Sequence, residues 1–356
     1  MINQQTSDRI TSLRWISMAA IVLSHAVQWP YFNASAANFS HAPVIGWLYM
    51  TVIYGCGIGV VPVFFLISGF LQFDKPRQYK ETLLKKSTGL LLPLLIWTAI
   101  ACVEYLALKP LTGPIANFGF MESHSVLDWL KAIFGDYSTL RSGIIGVPLL
   151  YQFWFLRDLF ILSLLSPLIK WLLQKLPWIY MALCLLALAF LIAPIVEPHS
   201  LFFYSLGGLC AIRKWDFFSI TDKWVPWPVV IVGCIAAIFY THSEGIYAGV
   251  TTKIIAHLPS FFLLLKLSKT LTSRPKVFDF TKRMAPQSMF LYCAHTFMLI
   301  DVIALVSIRL FNVTCSSGMI GSVLFVFAVD LGICTAVGML LRKFTPNLFS
   351  LLSGGR

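Results

Sequence analysis

The amino-acid sequence predicts an all-α polytopic membrane protein with about ten transmembrane helices and both termini in the cytoplasm. Of its 356 residues, 58% are apolar and only 12% are charged, whereas a soluble domain carries about 25% charged residues. At about 20 residues per span plus connections, a chain of this length holds roughly ten helices. The same composition excludes a disordered chain, a collagen-like fibre and a disulfide-stapled secreted scaffold.

Long apolar runs bounded by proline, glycine and charged residues define ten candidate spans. The sixth is short for a span, so it either extends into its neighbours or is broken at Gly207–Gly208. The ten segments are approximately 12–29, 46–72, 87–108, 150–171, 177–196, 200–212, 225–241, 250–267, 286–309 and 317–341.

The distribution of Lys and Arg determines the predicted orientation, because cytoplasmic connections are enriched in these residues. Alternate connections carry most of the 27 Lys and Arg residues, notably 75–86 and 266–283, while the 30–43 connection carries none. Both termini are therefore expected on the cytoplasmic side of the membrane. This orientation explains the net charge of +12 without nucleic acid as a partner.

Two kinds of site are not indicated. The eight cysteines are scattered and form no C-x-x-C pair, so we expect neither a bound metal nor a disulfide framework. Gly55-x-Gly57-x-Gly59 lies in an apolar segment and lacks the strand and acidic partner of a dinucleotide-binding fold. These glycines are instead expected to allow close packing between helices.

The longest polar connection, residues 109–149, lies on the predicted outer side. Its 126–134 stretch (V-L-D-W-L-K-A-I-F) has the pattern of an amphipathic helix lying at the membrane interface. A lid over an external opening is an equally good interpretation of the same pattern.

Ionisable residues inside the spans are candidate functional residues, because a charge is costly within a membrane. Arg14 and His25 are eleven residues apart in the first span. On a helix they share one face and lie about 16 Å apart along the axis. Arg14 falls near the cytoplasmic surface and His25 beyond the bilayer centre. The alternative is a snorkelling arginine and a histidine that only bonds a neighbouring helix.

Further ionisable candidates lie in later spans. His295 falls near mid-membrane and is either a structural or a catalytic histidine. Arg157 and Asp158 are sequence neighbours that point about 100° apart on a helix, so each is expected to pair with a different helix. Asp301 and Asp330 are additional candidates for buried carboxylates.

Four segments form a recognisable combination. Arg14, ten intervening residues and His25 follow an R-x10-H pattern in the first span. Residues 61–70 (V-P-V-F-F-L-I-S-G-F), 153–156 (F-W-F-L) and 288–295 (S-M-F-L-Y-C-A-H) follow at the expected distances. Together the four segments resemble the acyltransferase-3 family of integral-membrane O-acyltransferases, with its F-F-x-x-S-G-F, W-F-L and S-x-x-x-Y-x-x-H motifs. The resemblance covers nearly the whole chain.

The resemblance implies an enzyme that moves an acyl group, commonly acetyl, from cytoplasmic acyl-coenzyme A to a carbohydrate hydroxyl at the outer face. It implies His25 as general base or transient acyl carrier, since imidazole titrates near neutrality. Arg14, Lys85 and Lys86 are implied in binding the polyanionic donor. His295 with Tyr292 is expected to shape the acceptor side. The residues implied in substrate binding or support are Ser68, Trp154, Arg157, Asp158, Tyr292 and His295.

Several positions depart from the family pattern. Thr11 stands where Asp is common, Gln152 stands where His often precedes the W-F-L stretch, and residues 85–89 (K-K-S-T-G) replace a more arginine-rich connection. Lysine lacks the bidentate grip of arginine on phosphate, so donor binding is expected to differ in detail. The chain is expected to form one transmembrane domain over residues 1–356, without the soluble domain that longer members append.

The main alternative is a transporter or flippase for a lipid-linked sugar or a small solute, since buried charges also line transport paths. It predicts paired broken helices in two related halves, which the sequence does not show. The other large class of membrane-bound acyltransferases with an intramembrane histidine is disfavoured by the R-x10-H pattern.

Overall fold

Helices are the only regular secondary structure in the residues that the computed structural model describes, in agreement with the all-α prediction. The described residues are 3–34, 43–75, 78–112, 121, 125–135, 148–190, 196–244, 250–296, 298–313 and 315–355.

Eighteen α-helices follow one another along these residues. The first nine are α1 (Gln4–Ala34), α2 (Pro43–Val52), α3 (Ile58–Asp74), α4 (Tyr79–Lys86), α5 (Leu92–Thr112), α6 (Val126–Phe134), α7 (Trp154–Leu164), α8 (Ser166–Lys175) and α9 (Pro177–Ala189). The other nine are α10 (Pro198–Ile212), α11 (Phe217–Trp224), α12 (Trp227–Glu244), α13 (Val250–Thr272), α14 (Pro275–Met284), α15 (Ser288–Ala294), α16 (Met298–Leu310), α17 (Ser316–Phe344) and α18 (Pro346–Leu352).

Three helical stretches among the described residues are long and apolar enough to cross a membrane: Gln4–Val27, Tyr79–Ala107 and Ser316–Phe344. Two bent pairs, α11 with α12 and α14–α15 with α16, raise this number to five if each pair forms one span. Each of the ten predicted apolar segments contains helix. The number of ten crossings and the cytoplasmic position of the termini stay predictions.

The predicted sixth span is one unbroken helix, so the suggested break at Gly207–Gly208 is wrong. Gly207 of α10 lies against the carbonyl of Leu66 on α3, and Gly69 of α3 lies against the carbonyl of Tyr204 on α10. A methyl group on either glycine would collide with the backbone of the partner helix. The two glycines therefore let α3 and α10 cross at very short distance.

Glycines of the second predicted span also serve close packing, as expected. A π-helical turn over Ile53–Gly57 joins α2 to α3. Gly57 lies against the side chain of Ser24 on α1, and Gly59 lies against the backbone of Ser260 on α13. This segment thus fixes α3 between α1 and α13.

α1 lies among many neighbours, because it contacts α2, α3 and each helix from α13 to α17. Arg9, only 2% exposed, fixes the first part of α1. Its guanidinium donates to the Asp222 carboxylate at 2.8 and 3.3 Å, to Ser268 Oγ at 2.8 Å and to the Leu265 carbonyl at 2.7 Å. It also lies 4.1 Å from the centroid of the Phe218 ring. These contacts set the position of α1 along its axis.

Helix ends that carry Lys or Arg meet on one side of the bundle. Lys269 of α13 shares Asp222 with Arg9 of α1, Leu173 of α8 packs on Gly208 near the end of α10, and Gly338 of α17 packs on Gln287, in a turn that contacts α1. We call this side the basic end, and it is predicted to face the cytoplasm. Opposite to it lie the first turns of α7, α10, α13 and α17, which run toward the basic end. The residues that define the basic end are Lys175, Arg213, Lys269, Arg342 and Lys343.

Residues 126–134 form the predicted amphipathic helix, α6. Val126 and Leu127 are 74% and 58% exposed, whereas Ala132 is buried against Cys102 and Tyr105 of α5. This arrangement fits both an interfacial helix and a lid. Residues 113–120, 122–124 and 136–147 of the same connection lie outside the described residues.

Candidate active site

His25 lies in the half of α1 away from the basic end, where two other rings adjoin it. Its Nδ1 atom shares a hydrogen bond with the hydroxyl of Tyr151. The centroid of the His295 ring lies 5.2 Å from that of His25, and the centroid of the Tyr151 ring lies 5.1 Å away. Tyr151 is 45% exposed, so this group of side chains is open on one side to the surface of the bundle.

His295 is fully buried, and the end of α15 fixes the position of its proton. Backbone carbonyls near a helix C-terminus lack partners within the helix. Nδ1 of His295 lies 3.0 Å from the carbonyl oxygens of Leu291 and Tyr292. Because carbonyls only accept, Nδ1 carries the proton of the neutral ring and Nε2 carries the lone pair. Nε2 makes no hydrogen bond within the described residues.

Tyr292 attaches α15 to the turn that carries Tyr151. Its hydroxyl donates to the backbone carbonyl of Gln152, in the 3-10 turn that precedes α7. Its ring packs 5.7 Å from that of Phe155. Residues three apart on a helix lie on neighbouring positions of one face. Tyr292 therefore holds the Tyr151 turn while His295 lies beside His25.

Arg14 and His25 share one face of α1, because this helix is continuous from Gln4 to Ala34. Leu13 is fully buried and Trp15 is 5% exposed, whereas Arg14 between them is exposed. An exposed cation on a helix with so many neighbours indicates an opening in the bundle at Arg14. Met18, on the same face between Arg14 and His25, is 2% exposed and interrupts this accessible surface.

Arg157 and Asp158 form an ion pair with each other, whereas the sequence predicts that each pairs with a different helix. Nε and Nη2 of Arg157 lie 3.0 and 2.9 Å from Asp158 Oδ1, because the long arginine side chain bridges the angle between the two positions. Arg157 also donates to the Phe134 carbonyl at 2.8 Å, and Asp158 Oδ2 accepts from the Glu197 amide at 2.9 Å. The pair thus attaches α6 and the start of α10 to α7.

The other predicted donor-binding residues lie at the basic end. Lys85 and Lys86 occupy the last turn of α4, directly before a π-helical turn over Ser87–Leu91. Lys85 is exposed and Lys86 is half-buried. Among the contacts of the described residues, none joins either lysine to Arg14.

The remaining candidates are spread over three helices. Ser68 is half-buried on α3, next to Gly69. Asp330 is fully buried on α17 and accepts from the Cys334 thiol at 3.4 Å. Asp301 on α16 is exposed, so the expectation that it is buried is wrong.

Sequence reasoning missed three residues near these groups. Tyr151 lies three positions before Trp154, the first residue of the W-F-L stretch. A search for charged residues and histidines inside the spans does not select a tyrosine. His257 falls inside the predicted span 250–267, so its position inside a span is a signal that could have identified it. His199 directly precedes the sixth predicted span, and its importance depends on contacts that the sequence does not display.

A helical membrane bundle that brings two histidines and a tyrosine together has the groups required for proton and group transfer. The fold and site thus define an integral-membrane enzyme. Its family follows from comparison with known proteins: the chain belongs to the acyltransferase-3 family, whose description is "Acyltransferase domain" and which matches residues 8–339. The resemblance read from four short motifs is confirmed, and the protein is an acyltransferase.

The chain is also similar to the succinoglycan biosynthesis protein ExoH of Rhizobium meliloti (strain 1021). The two are 25% identical over 382 aligned residues, which cover 100% of this chain and 94% of the relative. No solved structure matches the chain.

Proposed function

We propose that the protein is a bacterial inner-membrane O-acyltransferase that moves an acyl group, most simply acetyl, from cytoplasmic acyl-coenzyme A to a hydroxyl of a cell-envelope polysaccharide or lipid-linked sugar. The observation that carries this proposal is the meeting of His25, Tyr151 and His295, with the Tyr151 side chain exposed at the surface of the bundle. The role of the relative in succinoglycan biosynthesis supports a polysaccharide acceptor.

The donor enters from the basic end, which faces the cytoplasm in this proposal. Coenzyme A is polyanionic, so the field of the clustered Lys and Arg residues attracts it. Arg14 is exposed within the bundle and presents a planar guanidinium to a phosphate or carbonyl group. Lys85 and Lys86 supply further charge at the surface.

The acyl arm then follows the face of α1 from Arg14 to His25, a distance of about 16 Å. Met18 blocks this face in the absence of donor. Its unbranched side chain has three rotatable bonds and moves aside at little cost.

At the centre, His25 Nε2 takes the proton of the acceptor hydroxyl while the hydroxyl oxygen attacks the thioester carbonyl. The carbon–sulfur bond breaks, and the proton passes to the departing thiolate, which leaves an ester and free coenzyme A. This role requires Nδ1 of His25 to carry a proton and donate it to the Tyr151 oxygen, which orients the ring. The lone pair of His295 Nε2 favours the positive charge that develops on His25.

The test compares His25→Ala with Ser24→Ala in protein reconstituted with labelled acetyl-coenzyme A and alkali-deacylated envelope polysaccharide. Loss of the general base is expected to lower acetate incorporation about 100-fold or more. Ser24→Ala removes a hydrogen bond to the Ala20 carbonyl within α1 and the contact of the same hydroxyl with Gly57, and is expected to keep activity. Unchanged incorporation by His25→Ala contradicts the catalytic role of this residue.

Rapid quenching in denaturant at neutral pH during turnover tests whether His25 carries the acyl group, since an acylimidazole hydrolyses quickly in acid. Label that remains on wild-type protein and is lost in His25→Ala identifies an acyl carrier. A wild-type protein that moves an unmodified sugar across the membrane without acetylating it contradicts the proposed function.

A further inference from the structure

A second pair of histidines lies in the half of the bundle away from the basic end. His199 is in the first turn of α10, and His257 lies on α13. Their rings stack at 27°, with 5.8 Å between the centroids. Neither residue belongs to the four motifs, and the reaction proposed above uses neither.

Aromatic and acidic side chains surround this pair. The Trp154 ring lies edge-on with its centroid 5.3 Å from that of His199, and Glu197 Oε2 lies 4.0 Å from His199 Nδ1. We call Trp154, Glu197, His199 and His257 the His199 cluster. His199 is 15% exposed and Glu197 is 22% exposed. A ligand therefore reaches both residues, although the protein covers most of their surface.

The His199 cluster is held in place from two sides. The amide of Glu197 donates to Asp158 Oδ2 at 2.9 Å, and Asp158 in turn pairs with Arg157. The close crossing of α3 and α10 at Gly69 and Gly207 fixes the helix that carries His199. Such support lets a binding site keep its geometry without a ligand.

One helical turn connects the His199 cluster to the candidate active site. Tyr151 contacts His25, and Trp154, three residues further on, contacts His199. Three residues of a 3-10 turn rise roughly 6 Å. The side chains that contact His25 and His199 are thus attached about one turn apart on the same stretch of backbone.

We propose that the His199 cluster is the subsite that binds a sugar ring of the acceptor, which rests on the glycan acylation proposed above. The apolar face of the sugar ring packs on the aromatic rings, and its hydroxyls donate to the Glu197 carboxylate and to imidazole nitrogens. A neighbouring hydroxyl of the same sugar, or of the next one, then reaches His25.

The chemistry of the cluster favours a sugar over other ligands. The Glu197 carboxylate repels a polyanionic donor, which the basic residues at the opposite end attract. A lipid chain cannot form hydrogen bonds with a carboxylate or with imidazoles. Among the described residues, no group of three or more His, Cys, Asp or Glu side chains has the arrangement needed to hold a metal ion. Few polar groups among aromatic walls are typical of sites for small organic ligands.

The test uses the full chain in lipid nanodiscs. The substrates are labelled acetyl-coenzyme A and alkali-deacylated envelope polysaccharide from the bacterium that makes this protein. Two rates are measured: release of coenzyme A without polysaccharide, where water takes the acetyl group, and acetate incorporation against polysaccharide concentration. For His199→Ala and Glu197→Gln we expect the KM for polysaccharide to rise about tenfold. Coenzyme A release is expected to stay within about twofold of wild type, because the donor binds elsewhere.

Trp178→Ala is the control, since Trp178 is a 63% exposed aromatic residue at the basic end and is expected to change neither rate. His199→Gln keeps a polar side chain of similar size and is expected to raise KM less than His199→Ala. A wild-type protein that acetylates no polysaccharide overturns the proposed function itself. With an active wild type, an unchanged KM in both variants, or a parallel loss of coenzyme A release, overturns the subsite alone.

Discussion

Tyr151 is the residue whose contact defines the candidate active site, although 126 positions separate it from His25 in the chain. A histidine that acts through one ring nitrogen depends on the partner of the other nitrogen for its tautomer and orientation. Tyr151 provides that partner. Its own position depends on Tyr292, which holds the neighbouring carbonyl of Gln152.

Tyr151→Phe is expected to lower kcat for acyl transfer about tenfold or more while the KM for acetyl-coenzyme A stays nearly constant. The ring still fills its place beside His25, so only the orienting hydrogen bond is lost. Steady-state kinetics with both substrates give the two constants. Tyr79→Phe is the matched control, since Tyr79 donates to the Leu164 carbonyl far from His25. Unaltered kcat in Tyr151→Phe argues against the orienting role.

Single residues also show how far the sequence predicts the site. Arg14 and His25 are related by the period of one helix, so their shared face follows from spacing alone. Arg157 and Asp158 each bond a different helix, as predicted, but their ion pair with each other was not predicted, because helical spacing describes Cβ directions and ignores the reach of an arginine side chain. Tyr151 depends on the packing of separate helices, which no local pattern encodes.

Arg9 provides a prediction about stability. Arg9→Ala leaves the buried side of Asp222 without its partner and is expected to lower the free energy of unfolding by about 3 kcal/mol. Lys269→Ala removes another cation, 3.5 Å from the same carboxylate, but Lys269 is 61% exposed. Its loss is expected to cost less than about 1 kcal/mol. Unfolding in detergent measures both, and equal effects contradict the importance of burial.

At the scale of elements, the predicted apolar segments all contain helix, because hydropathy is a local property of the chain. The breaks that the structure has inside the segments were not predicted. The 150–171 segment divides into α7 and α8 at Leu165, and the 286–309 segment bends by 83° beyond α15. The bend places His295 at a helix end, where its ring bonds two carbonyls. Tertiary contacts of this kind determine where the helix formed by an apolar segment bends.

The crossing of α3 and α10 gives the second prediction about stability. Gly69→Ala and Gly207→Ala each place a methyl group against the backbone of the other helix, so both are expected to lower the unfolding temperature by several degrees. Gly332→Ala on α17 meets nothing within 4 Å and is expected to be neutral or slightly stabilising, because Ala favours helix. Thermal unfolding in detergent distinguishes the three. A neutral Gly69→Ala contradicts the close crossing.

In the whole molecule, the distribution of Lys and Arg indicates which end of the bundle faces the cytoplasm, whereas helix geometry alone gives no such indication. Lys and Arg gather at the basic end, while the His199 cluster and His25 lie toward the opposite end. In the proposed orientation, donor and acceptor approach from different sides of the membrane. The exposed Cys315, which directly precedes α17 at the end opposite Arg342, offers a test.

Membrane-impermeant maleimide is expected to label Cys315 in intact spheroplasts. Hydrogen bonds from Ser317 and from the Gly318 amide hold the pKa of the Cys315 thiol below its usual value. Thiolate, the reactive form, is therefore more abundant near neutral pH than for an ordinary cysteine, and labelling falls as pH drops through the lowered pKa. Cys315→Ser removes the signal. Labelling of Cys315 only after the membrane is opened contradicts the orientation. The buried cysteines among the described side chains are Cys102, Cys184, Cys210, Cys234, Cys293 and Cys334.

Bacterial inner membranes store energy as a voltage, and a continuous water path through a protein discharges it. Along α1, the buried side chain of Met18 separates the exposed Arg14 from the open surroundings of His25. While Met18 keeps this position, the face of α1 that carries a cation and an imidazole has no continuous row of exposed side chains along which ions could cross the membrane.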